Sequence, residues 1–197
     1  GPAPDPNDPA TRTCTPPPNR DYTAFLKGDA LEGARIGIPR AYFYDKANVA
    51  GSQEPRGGLN PERAQVMAEA IAILQQQGAV IVDPANLPSV LEAERDRNVL
   101  AWDICEKAKG QDGDCSVVLK YGFKRDFNRW LASLGRAAPV KTLTELRIWN
   151  LAHQRAGAIR YGQALLDISD EMHLEQDRAR YEAERARDLR LAGELGI

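Results

Sequence analysis

The chain has 197 residues, of which 43% are hydrophobic and 27% charged, and a formal net charge of −2. This is the profile of one globular domain with appendages, long enough to bury a core. The near balance of acid and base argues against a nucleic-acid binder, which needs a basic face to neutralise phosphates. No stretch approaches the ~20 apolar residues that a membrane span requires.

The chain opens on Gly1-Pro2 with no signal-like segment, so it reads either as a native internal start or as a scar of tag removal. Prolines crowd residues 1–20, including the run Pro16–Pro18. Proline has no N–H for a helix or a ladder, so an extended connector is expected over 1–20. Next, Arg35–Pro39 (RIGIP) reads as a short strand with Ile36 and Ile38 on one side. The polar, glycine-bearing segment 45–60 reads as a loop.

Asn60-Pro61 is a helix start, with Asn as N-cap and Pro at the first turn. Met67, Ala70, Ile71 and Leu74 then follow at helical spacing on one face. Gly78 ends that helix in a left-handed cap, and Ala79–Asp83 (AVIVD) reads as a buried strand. Strand, helix, strand is a βαβ unit.

Beyond Pro84 the pattern turns helical. Leu119, Phe123, Phe127, Trp130, Leu131 and Leu134 form an aromatic-rich stripe that Gly135 closes. Its simplest reading is a helix face packed on a core, and its alternative is a wall of an apolar pocket. Tyr121 lies off the stripe and is the candidate for a polar-tipped pocket residue. Thr142 and Glu145 make a capping box for a helix over 143–153. A further helix is expected from about Tyr161, and a charged one over 175–194 with pairs such as Arg178–Glu182.

The residues of hydrolytic chemistry do not assemble in the sequence. Ser52, Ser89, Ser116, Ser133 and Ser169 lie in no G-x-S-x-G elbow and in no glycine-rich loop that could hold an oxyanion. His153 reads as a structural helix residue and His173 as a solvated one. No Cys or His pair has zinc spacing. Asp112-Gly113-Asp114 lacks the other ligands of a calcium loop, and Gly57-Gly58 is not a phosphate loop. Asp170-Glu171 reads as a solvated charge run. No catalytic residue, metal ligand or cofactor is therefore expected within the chain. Of the three cysteines Cys14, Cys105 and Cys115, the last two flank the polar loop 106–114. They are open to two readings, a bridge that closes the loop or free thiols in a reducing compartment. The compartment is otherwise unread, with the balance leaning to the cytoplasm.

The order of motifs is more specific than any one of them. DPNDPATR (5–12), DYT (21–23), RIGIPR (35–40), GAVIVDPANLP (78–88), DFNRWLASLG (126–135), PVKTLTELRIWNLAH (139–153) and YGQALLDIS (161–169) follow in sequence. Together they resemble the amidase signature family of serine hydrolases, in the stretch after its catalytic core. The resemblance covers almost the whole chain. It implies an α/β fold fragment: a partial mixed sheet with a βαβ unit, strands near 35–39 and 79–83, and a mostly helical second half. It also implies a parent enzyme that cleaves C–N bonds of amides, or carbamates or esters, through a Ser–cis-Ser–Lys triad. No Gly-Gly-Ser-Ser-Gly-Gly-like run occurs here, so the triad is expected outside this chain, which alone is expected to be inactive.

By this reading residues 1–20 are the connector, 21–88 the βαβ part of the core sheet and 89–197 the outer region beside the substrate mouth. Tyr121, Phe123, Phe127 and Trp130 are the candidate substrate-binding residues. The expected partners are a small amide-like substrate and the remainder of the amidase polypeptide, with no nucleic acid and no membrane span. The competing reading is a stand-alone, non-catalytic interaction module derived from an amidase.

Overall fold

The computed structural model describes residues 4–13, 15 and 18–196. Cys14 and Pro16–Pro17 of the proline run lie outside the described residues. In chain order the strands and α-helices are β1 (Arg35–Gly37), β2 (Lys46–Ala47), β3 (Arg56–Gly57), α1 (Pro61–Gln76), β4 (Val80–Val82), α2 (Pro88–Leu91), β5 (Asp103–Ile104), β6 (Cys115–Ser116), α3 (Val118–Ser133), α4 (Leu143–Ala152), α5 (Ala164–Asp170) and α6 (Arg178–Leu189). The chain is of mixed α/β class, dominated by helix with small sheets. It divides into two compact units. One runs to Ile38 and resumes over Leu59–Ala85. The other comprises Pro39–Gly58 and the chain from Asn86 onward.

In the first unit, β1 and β4 pair in parallel with Arg35 opposite Val80, Ile36 opposite Ile81 and Gly37 opposite Val82. The strands are shorter than the expected 35–39 and 79–83. Pro39 has no N–H to extend the ladder, although Ile38 still donates to the Val82 carbonyl at 2.9 Å. Glycine is required at position 37, because a Cβ there would come within 2.9 Å of the Ala85 methyl. α1 starts where the side chain of Asn60 accepts the amide of Arg63 at 2.8 Å. Its inward residues are Met67, Ala70, Ile71 and Leu74, the face read from the spacing. Gly78 ends it at φ +89°, with the Glu32 backbone 3.1 Å from where a Cβ would stand.

The second unit is mostly helical. The segment read as a plain loop carries a two-residue antiparallel ladder, Lys46 opposite Gly57 and Ala47 opposite Arg56. Gly57 sits at φ +77° against the Tyr42 carbonyl, a place no Cβ could occupy. Such a short ladder has no alternation to read, so periodicity could not have signalled it. Asn98 is fully buried and stitches its surroundings, donating to the carbonyls of Val90 and Glu92 and accepting from the Leu100 amide. β5 and β6 pair in parallel, and Cys105, just beyond β5, is joined by a disulfide to Cys115 of β6. That bridge belongs to a buried cluster with Val117, Tyr121, Met172 and Tyr181.

α4 opens as expected, the Thr142 hydroxyl accepting the Glu145 amide at 3.1 Å. Glu145 reaches back to the amide of Lys141 rather than to that of Thr142. The helix expected from Tyr161 begins only at Ala164, because Gly162 turns the backbone through φ +79°. α6 starts at Arg178 rather than at 175, and a π-helical turn over Arg190–Glu194 carries it to the expected end. Its i,i+4 ion pair is Arg180–Glu184 at 2.6 Å, not Arg178–Glu182. Among the described residues, no helix is long and apolar enough to cross a membrane.

Candidate functional site

α3 carries all four candidate substrate-binding residues, and the fold sends them two ways. Tyr121 turns inward. It is 3% exposed, stacks on Tyr181 with centroids 4.4 Å apart, and donates its hydroxyl to the Leu174 carbonyl at 2.6 Å. Phe123, Phe127 and Trp130 turn outward. Phe123 and Phe127 stack at 5.5 Å, and Phe127 meets Trp130 at 5.6 Å. Phe123 is 39% and Trp130 53% exposed.

The three outward rings line a groove of about 540 Å³ with Leu119, Arg125 and Tyr181. Of the stripe read from the spacing, Leu131 is buried, while Leu119, Phe123, Trp130 and Leu134 stay open. The helix therefore packs through Lys120, Tyr121 and Leu131 and presents its aromatic ladder outward.

The groove is apolar with a charged edge. Arg125 lies over the Tyr181 ring at 4.9 Å and is gripped by both oxygens of Asp126 at 2.8 Å. The Arg125 hydrogen bonds hold the Asp126 carboxyl below its ordinary range, despite partial burial. Such a groove can take up a flat or branched hydrocarbon group. It holds no nucleophile.

The loop 106–114 beside α3 is ordered by three ties. The disulfide closes its ends. Lys120, 2% exposed, drives its ammonium into the loop, donating to the Lys107 carbonyl at 2.8 Å and to Asp112 Oδ2 at 2.6 Å. Asp112 Oδ1 accepts the amide of Lys107. Lys109 then joins the loop to later segments, through its amide to Glu171 and its ammonium to Asp177 at 3.2 Å.

Neither the hydrolytic nor the metal chemistry comes together among the described residues. The hydroxyl of Ser52 donates to the Glu54 carbonyl, that of Ser116 to Asp188, that of Ser133 to the Trp130 carbonyl and that of Ser169 to the Leu165 carbonyl. Ser89 is buried with its hydroxyl unpaired. No serine hydroxyl among the described residues meets a histidine or lysine. His153 caps α4 and stacks on Trp149 at 4.0 Å. Cys105, Cys115 and Asp112 bring sulfur and oxygen atoms within 4.8 Å of one another. The sulfurs are bonded to each other and the carboxylate is neutralised by Lys120, so the set does not fit a cation.

One residue escaped the sequence reading. Asp170, read as solvated, has a side chain only 6% exposed and is held by Lys124, Thr144 and Arg147. Nothing local signals this, because its partners lie 23 to 46 residues away.

No protein-family model matches the chain. Its curated relatives include a glutamyl-tRNA(Gln) amidotransferase chain from several bacteria. The protein from Roseiflexus sp. (strain RS-1) is 43% identical over 74 residues, which are 38% of this chain and 12% of that protein. The one from Roseiflexus castenholzii is 36% identical over 105 residues, 49% of this chain and 19% of that protein. Among solved structures, the peptide amidase PAM in complex with the competitive inhibitor chymostatin is 29% identical with a TM-score of 0.66, over 99% of this chain and 33% of that one. The native peptide amidase from Stenotrophomonas maltophilia is 28% identical with a TM-score of 0.64, over 98% of this chain and 32% of that one. The chain thus spans about a third of these structures and less than a fifth of the curated relatives.

Proposed function

This chain is related to the amidase signature family, and from that relationship we propose that it is the substrate-side part of a C–N bond hydrolase. The parent acts on amides, or on carbamates or esters, with a Ser–cis-Ser–Lys triad outside this chain. Residues 1–20 connect, residues 21–88 supply part of the core sheet, and residues 89–197 form the wall beside the substrate mouth. Phe123, Phe127 and Trp130 contact the flank of the substrate, and Tyr121 holds α3 in place behind them. The rest of the amidase polypeptide is its partner.

The observation that carries this reading is the outward Phe123–Phe127–Trp130 ladder, in a chain whose described serines have no histidine or lysine beside them. A rigid aromatic surface next to an ordered loop is suited to choosing among substrates rather than converting them.

The experiment has two arms. A serine-directed covalent probe should leave this chain unlabelled and label the parent at a residue outside it. In the parent, Trp130→Ala or Phe127→Ala should change the relative rates on amides with large and small apolar flanks severalfold. Labelling within this chain would contradict the first half of the reading. Unchanged relative rates would remove the second.

A further inference from the structure

Leu119 and Phe123 of the Trp130 groove also border a second cleft, between α3 and α5. It encloses about 300 Å³ and is lined by Leu119 and Phe123 of α3, Leu165 and Ile168 of α5, and Cys105 and Glu106 at the start of the disulfide loop. We propose that this cleft binds an apolar ammonium compound, its hydrocarbon between α3 and α5 and its cation at Glu106.

The polar groups at the walls leave little choice of ligand. The Ser169 hydroxyl is spent on the Leu165 carbonyl. Lys120 lends only its methylene stem, since its ammonium is bound to Asp112 and the Lys107 carbonyl. Glu106 differs from both. It is exposed, and its carboxylate has no hydrogen bond or ion pair among the described residues.

No cation pairs with Glu106 among the described residues. Lys109 is engaged by Asp177. Glu106 also borders the neighbouring cavity, which Arg95 and Lys107 share, but neither cation forms an ion pair with it. The site is therefore a hydrocarbon slot whose rim carries one carboxylate that has no ion pair among the described residues. Its volume suits a phenyl or short branched alkyl group, at the small end of ligand cavities. A carboxylate ligand would be repelled there. A neutral ligand would gain only the slot.

This inference does not depend on amide hydrolysis, and its test needs no turnover. The whole chain is titrated with phenethylammonium, 2-phenylethanol and 3-phenylpropionate while its amide resonances are followed. Phenethylammonium should shift the amides of Leu119, Phe123, Leu165 and Ile168. It should bind about fivefold tighter than the alcohol, the gain of one solvent-exposed ion pair. The propionate should bind more weakly than either. Glu106→Gln, at an exposed position, should bring amine and alcohol to the same affinity. Leu165→Lys, also exposed, should abolish amine binding. The dispersion of the unliganded spectra reports that both variants fold. Equal affinities of amine and alcohol in the unmodified chain, shifts confined to Phe127 and Trp130, or no shift at tens of millimolar would each overturn the proposal.

Discussion

The carboxylate of Asp170 and the guanidinium of Arg147 meet at 2.6 Å, and this contact ties α5 to α4. Asp170 Oδ1 also takes the Lys124 ammonium of α3 at 3.2 Å and the Thr144 hydroxyl at 2.8 Å. Arg147 completes its fork on Asp167 at 2.6 Å. Three helices behind the aromatic ladder thus share one carboxylate. Removing it leaves Arg147 with Asp167 alone and Lys124 with only the backbone carbonyls of residues 170 and 172. Asp170→Ala should cost about 2 kcal/mol, the scale of lost hydrogen bonds to a charged group, seen as a lower urea midpoint. The double variant Asp170→Ala/Arg147→Met should cost less than the sum of the two single changes, since the pair they share is lost only once. A loss below about 0.5 kcal/mol, the scale of an ordinary surface substitution, would show that the hub does not hold the helices.

The same carboxylate gives a pH dependence. Burial alone would raise the Asp170 pKa, but the hydrogen bonds from Arg147, Thr144 and Lys124 outweigh it and the value falls below 3.8. Asp177 behaves alike, burial being outweighed by the His173 amide and Lys109. A carboxyl depressed in the folded state stabilises fully above its unfolded pKa, and that stability is lost as pH falls through the folded value. Urea midpoints should therefore stay level from neutrality to about pH 5 and drop below about pH 4. In Asp170→Asn the drop should be shallower. An identical acid slope in both proteins would exclude Asp170 as a source.

The disulfide between Cys105 and Cys115 closes a loop of ten-residue separation. A short closed loop contributes roughly 2–3 kcal/mol by restricting the unfolded chain. Cys105→Ser/Cys115→Ser should lose about that much. Amide exchange should quicken over 106–114 first. The Lys120–Asp112 pair still anchors this loop without the bridge, so adding Lys120→Met to the serine variant should release it fully. Unchanged protection in the triple variant would mean that neither tie orders the loop.

Gly37 and Gly78 test the first unit. Gly37→Ala presses a methyl within 2.9 Å of the Ala85 side chain, across the turn that follows β4. Gly78→Ala forces φ +89° on a residue with a Cβ, 3.1 Å from the Glu32 backbone. Each should destabilise by about 1–3 kcal/mol. Gly110→Ala should cost less, for although its φ is +85°, nothing stands within 4 Å of the new Cβ. Thermal melts of the three variants rank them directly.

The sequence by itself determined what lies within one turn of chain. Asn60 accepts the amide three residues on, and so does Thr142. Met67, Ala70, Ile71 and Leu74 turn to one side because helical spacing leaves them no other arrangement. The parallel pairing of β1 with β4 was legible as strand, helix, strand. The order of motifs carried the relationship to amidases that the matched relatives support.

Only the tertiary structure decided which side of α3 is buried. Tyr121 and the aromatic ladder are both compatible with a helix, and Tyr181 and Leu174, more than 50 residues further on, claim Tyr121 for the core. It also decided that Cys105 and Cys115 are joined and that Asp170 is charged inside the protein rather than on its surface. Long-range pairings of this kind have no periodicity. Their energy comes from desolvated partners that only folding brings together.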